Sequence, residues 1–407
     1  MKKIITSFQN FGFIKYLFTL VQVTMLLNWL PCSSQKTAEP EHILPFEFKN
    51  NTIYINLKVN NKDVVFYFDT GATTTVLDKN IAHSLGVRPN DKVDVSGGGG
   101  SKSYELSTNE ILSVGSDSFK NVPIILEDLS RLREAAEFPF DGIIGLPILE
   151  NYVTHIDWNS MSMILYDKKS SLKLPDFKEY NIRFLNGIKI PSFPIDFELE
   201  DGSIFSGETL FDSGADLAFM VNTPFSKKNL IKNKVDKVFS VEANYMGTKS
   251  TSEKIRIKSL NFLGFSFSDL PISLSTSKKG VTAMKQYMGI LGAKIIYRFD
   301  IIMDYYNNKL YLKPSFKFTK PFEFPMVGFK LKENQNGKII IKSISESCES
   351  YQKGLRTGDI LTAINNKEFK NVDEYRKLLK QEGKNVVLTI IQNNISKKIK
   401  TTLKKQF

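Results

Sequence analysis

One phrase in the chain occurs twice. An apolar run ends at Asp69 and continues through Thr70, Gly71 and Ala72 (VFYFDTGATTTVL), and the same grammar returns at Asp212 with Ser213, Gly214 and Ala215 (TLFDSGADLAFMV). A single Asp-Thr-Gly says little, because Asp and Gly are common turn residues wherever a strand ends. The neighbourhoods match as well. Upstream of Asp69, apolar residues alternate on both sides of Asn60-Asn61, and upstream of Asp212 they alternate around Asp201-Gly202, so each Asp is expected to follow a β-hairpin. Farther on, Leu112 to Leu126 parallels Leu260 to Leu274, both reading as strand, Gly turn and strand with Pro. Ile143-Ile144-Gly145 then answers to Ile290-Leu291-Gly292, a spacing that agrees within four residues with that of the two Asp. Glycine after each apolar pair puts no side chain where another backbone has to pass, which predicts a tight crossing beside each Asp loop. A duplicated unit with two β-rich lobes, each on the order of 130 residues, is the economical account.

Length and composition agree. At 407 residues, two or three domains are expected, and 42% hydrophobic residues suffice for buried cores. The boundaries read as 1–34 for a leader, 43–175 and 176–315 for the two lobes, and 326–405 for a third domain. The net charge of +12 invites a nucleic-acid reading, but the lysines are scattered through strand-like segments, so no nucleic-acid partner is assigned. The C-terminal SKKIKTTLKKQF alternates Lys with apolar residues, as a half-buried final strand does.

Lys2 and Lys3 precede an apolar stretch from Tyr16 to Leu27, with small residues at Cys32, Ser33 and Ser34, so the first 34 residues resemble an export signal. Periplasm, cell envelope or exterior is the expected location. Lipidation of Cys32 or a retained anchor would give membrane association through the N-terminus. The only other cysteine is Cys348, which rules out an internal disulfide framework in a processed chain. His42, His83 and His155 show no metal-ligand spacing, and no metal or cofactor is expected.

The two Asp-Thr/Ser-Gly-Ala loops and the two apolar-apolar-Gly segments, in order and in register, resemble the two-lobed aspartic peptidases, the retropepsin-like branch in particular. The resemblance covers about Thr52 to Leu312 and implies a mostly β fold of two pseudo-symmetric lobes, in which Asp69 and Asp212 form a catalytic pair. Two carboxyls this close share one proton, so one serves as base and the other as acid, and a water between them attacks the peptide carbonyl. The resemblance also implies that Thr70 and Ser213 bond across to the opposite loop. Gly71 and Gly214 let backbone N–H groups approach the carboxylates. Ala72 and Ala215 offer no hydroxyl to favour the charged form, so the pair is expected to titrate higher and activity to reach toward neutral pH.

A flap over the cleft is expected at DVSGGGGSKSYE, with Gly97, Gly98, Gly99 and Gly100 at its turn; the rival, a phosphate loop, lacks the following Lys-Ser/Thr. In the second lobe VEANYMGTKS is the counterpart, with Tyr245, Met246 and Gly247 at its tip, and a structural loop stays open there.

After the link KPSFKFTKPFEFP the chain changes character. YQKGLRTGDILTAINNKEF followed by the helical pattern NVDEYRKLLKQEG resembles the PDZ family, a small α+β domain that binds extended peptides by strand addition. Only Gly328 and Phe329 remain of that family's carboxylate loop. The expected partners are a peptide or protein substrate and a peptide ligand of the third domain. A monomer is expected; a dimer in which each lobe pairs with its twin, and a non-catalytic peptide-binding protein that kept the fold, are the rival readings.

Overall fold

Asn60 and Asn61 both take positive φ (50° and 65°) and close the hairpin between strands Thr52–Val59 and Lys62–Phe68. Asparagine tolerates this left-handed region, and the two-residue turn it makes matches the twist of the flanking strands. In the second lobe Gly202 (φ 84°) serves the turn between Ser192–Glu198 and Ile204–Asp212. The computed structural model describes residues 38–97, 100–245 and 248–407. The expected leader with Cys32 lies outside the described residues, as do Gly98, Gly99, Met246 and Gly247.

From these hairpins the two lobes follow one topology. In lobe 1 the strands run 52–59, 62–68, 142–144, 75–78, 117–127, 100–114 and 91–97 across the sheet; in lobe 2 they run 192–198, 204–212, 289–292, 219–221, 265–275, 248–262 and 239–245. Both contain the same parallel pairing beside the Asp loop, Phe68 opposite Ile144 and Phe211 opposite Leu291. An extra pairing of the first strand with the long fifth-built one (52–59 with 100–114, 192–198 with 248–262) curls each sheet onto itself.

A six-stranded layer joins the lobes: 178–181, 309–314, 299–304, 152–157, 162–167 and 42–49, with Ile301 opposite Ile156 across the junction. Trp158 is buried there, its Nε1 donating to the Phe299 carbonyl at 2.7 Å. One continuous apolar core runs through both lobes, from Ile53 and Phe66 to Phe211, Leu291 and Phe299. The lobes therefore cannot shift as independent bodies without disturbing this core.

The Pro- and Phe-rich link is packed rather than loose. Phe318 and Phe322 meet Phe267, and the Arg298 guanidinium lies over Phe322 at 3.8 Å while donating to the carbonyls of Lys317, Phe318 and Lys320. Beyond it, five strands (329–333, 339–344, 360–364, 385–392, 395–402) form a separate sheet with its own core around Ile341, Leu361, Leu388 and Tyr375. Helix Val372–Leu379 packs on it, capped by Asn371, whose side chain accepts from the Glu374 amide at 3.1 Å. The last strand buries Ile399 and Thr401 and exposes Lys397, Lys398 and Lys400, the alternation expected of SKKIKTTLKKQF.

Candidate active site

Each Asp sits where its strand ends, and the turn after it is closed by the amide of Ala72 or Ala215 reaching back to the Asp carbonyl. The amide of Gly71 donates to Asp69 Oδ1 at 2.7 Å, and that of Gly214 to Asp212 Oδ1 at 2.9 Å. The two loops meet face to face. The Thr70 amide donates to Ser213 Oγ (3.0 Å) and the Ser213 amide to Thr70 Oγ1 (2.9 Å), a reciprocal pair; Thr70 Oγ1 then donates to the Phe211 carbonyl at 2.8 Å. Thr70 and Ser213 are both buried. These are the cross-loop bonds the resemblance implied.

The glycines are explained by the opposite loop rather than by their own. A Cβ on Gly71 would lie 2.9 Å from the Asp212 carboxyl carbon, and a Cβ on Gly214 would run into the Asp69 carboxyl. Gly145 and Gly292 make the crossings expected of them. A side chain at Gly145 would strike the Asp69 carbonyl, and one at Gly292 the carbonyls of Leu217 and Ala215. Past each crossing the chain forms one helical turn, Leu146–Leu149 or Ala293–Ile296, and the amides of Leu146 and Ala293 donate to Ala72 and Ala215 at 2.9 Å.

The two carboxyls therefore sit between the loops, each against the glycine of the opposite one. Part of each remains open to the cleft, yet protein surrounds both at depth. Burial pushes Asp69 above the ordinary carboxylate range despite the amides of Gly71, Gly214 and Ala72, which pull it down. Asp212 is pushed well above that range, by burial first and by the Asp69 charge second. Both shifts favour a proton held by the pair, whose two carboxyls titrate together.

Sequence reasoning did not single out three further residues. The Tyr67 hydroxyl donates to the Gly214 carbonyl at 2.7 Å, bracing one lobe's strand against the other's Asp loop. Its signal was present, a polar atom in an apolar run two residues before Asp69, but the alternation of the strand accounts for an aromatic there without it. Tyr297 is buried near both carboxyls, and burial holds its phenol protonated. Gly280 (φ 78°) lies against the lobe-1 hairpin: a Cβ there would collide with the Gly97 carbonyl oxygen and the Gly100 amide nitrogen.

That hairpin is formed by Asp91–Gly97 and Gly100–Val114, with Gly97 opposite Gly100. Lobe 2 carries its counterpart, Phe239–Tyr245 with Thr248–Phe262, closing at Tyr245 opposite Thr248. The structural arrangement is reciprocal. The first hairpin rests on the Gly280 segment of lobe 2, and the second packs against helix Ser130–Ala136 of lobe 1.

In the third domain, Phe329 begins the edge strand Phe329–Glu333 and Gly328 backs onto Cys348, which is free and buried. The Gly328 carbonyl accepts from the Ser345 amide at 2.7 Å. One group of possible metal ligands occurs among the described residues, Glu41, His42 and Asp117, but Asp117 is taken up by His42 Nε2 (2.9 Å) and the Tyr152 hydroxyl (2.6 Å) as an ordinary polar cluster.

Residues 55–148 match the family model of an aspartyl protease domain, a stretch that holds the first Asp loop, the first hairpin and Gly145. Residues 340–392 match that of a PDZ domain. No curated protein matches the chain. Placed beside the geometry, these matches identify the chain as one that carries an aspartyl protease domain and a C-terminal PDZ domain.

Proposed function

We propose that the chain is an aspartic endopeptidase in which Asp69 and Asp212 together activate a water, with the PDZ domain docking substrate or partner. The observation that carries this reading is the pair of carboxyls, each lying against the other's loop, set between two loops that brace each other.

The Asp69 carboxylate takes a proton from the water as its oxygen attacks the scissile carbonyl carbon. Asp212 gives its proton to the carbonyl oxygen, leaving a neutral geminal diol. The amide nitrogen then receives a proton from the dyad, the C–N bond breaks, and the diol loses a proton as it becomes the carboxylic product. Every step is a proton relay within the pair, so no covalent enzyme intermediate forms. An extended peptide laid between dyad and hairpins would pair its main chain with strand edges and point alternate side chains to opposite sides. The basic start and apolar run of the first 34 residues support export to the cell envelope or beyond.

The test is cleavage of a peptide library by wild type, Asp69→Asn and Asp212→Asn, read by mass spectrometry. Turnover by wild type and a loss of at least about a thousandfold in each variant are expected. Equal turnover by all three would remove the mechanism, and no turnover by wild type would favour a peptide-binding protein that kept the fold.

A further inference from the structure

The PDZ sheet ends in the strand Phe329–Glu333, paired on one side only, with Ile339–Ile344. Helix Val372–Leu379 faces its other side, and from it Arg376 Nη2 donates to the Leu331 carbonyl at 2.8 Å. A main-chain acceptor on a sheet edge is what an incoming strand uses. Here an arginine already holds it.

The same guanidinium is held from beyond the domain. Glu137 grips it with both oxygens, each at 2.6 Å from a different nitrogen. Beside it Glu134 accepts from Lys332 at 2.8 Å and lies 3.4 Å from Lys342. Glu134 is in the last turn, and Glu137 is the C-cap, of helix Ser130–Ala136 in lobe 1. Glu137 has φ 51°, a left-handed conformation that favours Gly or Asn, so its side-chain pairing offsets an unfavourable backbone. All five side chains remain accessible to solvent, so a competing carboxylate can reach these pairs and exchange with them.

The helix also reaches the cleft. It packs against the lobe-2 hairpin strand Phe239–Tyr245. Arg133 pairs with the buried Asp78, and Phe138 stacks on Tyr54 at 4.1 Å. From the PDZ side, Phe407 packs on Phe239 at the base of the same hairpin.

We propose that helix Ser130–Ala136 acts in the resting chain as an internal competitor at the edge of strand Phe329–Glu333, where Glu134 and Glu137 hold the basic residues that a peptide with glutamates at that spacing would otherwise engage. A peptide carboxylate that replaces Glu137 at Arg376 releases the helix and, with it, the second hairpin over the cleft. The release step rests on the peptidase reading; the docking site does not.

The probe is a fluorescein-labelled peptide of residues 131–138 (RLREAAEF), with RLRQAAQF as its control. Binding to the full chain is read by fluorescence anisotropy in the Asp212→Asn background, which keeps the probe intact. Glu134→Gln with Glu137→Gln should bind the glutamate-bearing probe about tenfold more tightly than the chain with its own carboxylates, and adding Arg376→Ala should reverse the gain. The control peptide should not bind. Equal affinity with and without the two glutamates, equal binding of both probes, or no binding to any variant would overturn the proposal. In the otherwise wild-type chain, the double glutamine variant should cleave a peptide library severalfold faster and lose stimulation by the glutamate-bearing probe. Binding as expected with unchanged cleavage would overturn the release step alone, while a wild type that cleaves nothing would overturn the peptidase reading and leave the docking site standing.

Discussion

Tyr67 in lobe 1 donates its hydroxyl to the carbonyl of Gly214 in lobe 2 at 2.7 Å, so a strand of one lobe braces the Asp loop of the other. Tyr67→Phe deletes that bond and leaves the carbonyl short of a partner, a net cost of about 1 kcal/mol. The expected result is a fall in kcat/KM of about three- to tenfold, mostly in kcat because the dyad loses support rather than the substrate a contact. Steady-state kinetics beside thermal unfolding checks it. A lowered Tm with unchanged kinetics would make Tyr67 a packing residue only.

The dyad also makes a statement about stability. Both carboxyls titrate above their ordinary value because of burial, so the folded chain holds the shared proton more tightly than the unfolded chain does. The resulting stabilisation is complete below about pH 4, the unfolded carboxyl range, and is lost as pH rises through the raised values. Asp212→Asn removes the group that must take up a proton on folding at neutral pH. It should abolish cleavage while raising Tm by a few degrees at pH 7, and the gain should shrink toward pH 4. Equal melting temperatures at pH 7 would contradict the burial account, whatever the activity.

Gly280 supports the first hairpin by having no side chain. Gly280→Val places a branched group against the Gly97 carbonyl and the Gly100 amide, so the hairpin cannot seat. KM for peptides should rise by about tenfold, with a smaller change in kcat. Gly264→Val is the control for a branched residue at positive φ (81°), because nothing lies within 4 Å of an added Cβ there. Matching kinetics in the two variants would attribute the effect to backbone strain instead of the hairpin.

Gly145→Ala meets backbone rather than a movable side chain, the Asp69 carbonyl itself. Relief requires moving either the loop or the crossing strand, so a loss of about 3 kcal/mol or more is expected, together with activity. Urea unfolding of the purified variant measures it; a midpoint near that of wild type would mean that the crossing is slacker than described.

Much of the fold could be read before any tertiary information. The Asn60-Asn61 turn, the paired hairpins, the Gly115 and Gly264 turns and the helix in NVDEYRKLLKQEG follow from local chemistry that acts over a few residues. The family resemblance implied that Asp69 and Asp212 would face each other and that Thr70 and Ser213 would bond across; the structure sets each carboxyl against the opposite loop's glycine and contains both cross-loop bonds. The roles of Tyr67 and Gly280 were not legible, because an aromatic in a strand and a glycine in a loop each have an ordinary local explanation. The expected sites at Gly98, Gly99 and Gly247 fall outside the described residues, and Tyr245 is described by its strand pairing alone.

By itself the sequence determined the units: strands that alternate, turns that need positive φ, glycines that admit a passing backbone, and one acidic phrase written twice. Each of these is a property of a residue and its near neighbours, where hydrophobic period and backbone sterics act. Which units face each other was decided by the tertiary structure. Arg376 and Glu137 stand 239 residues apart, and neither periodicity nor turn chemistry says that they meet. Curled sheets, a shared six-stranded layer and a packed link bring them together, because burying those apolar faces leaves few placements for the polar groups at their edges.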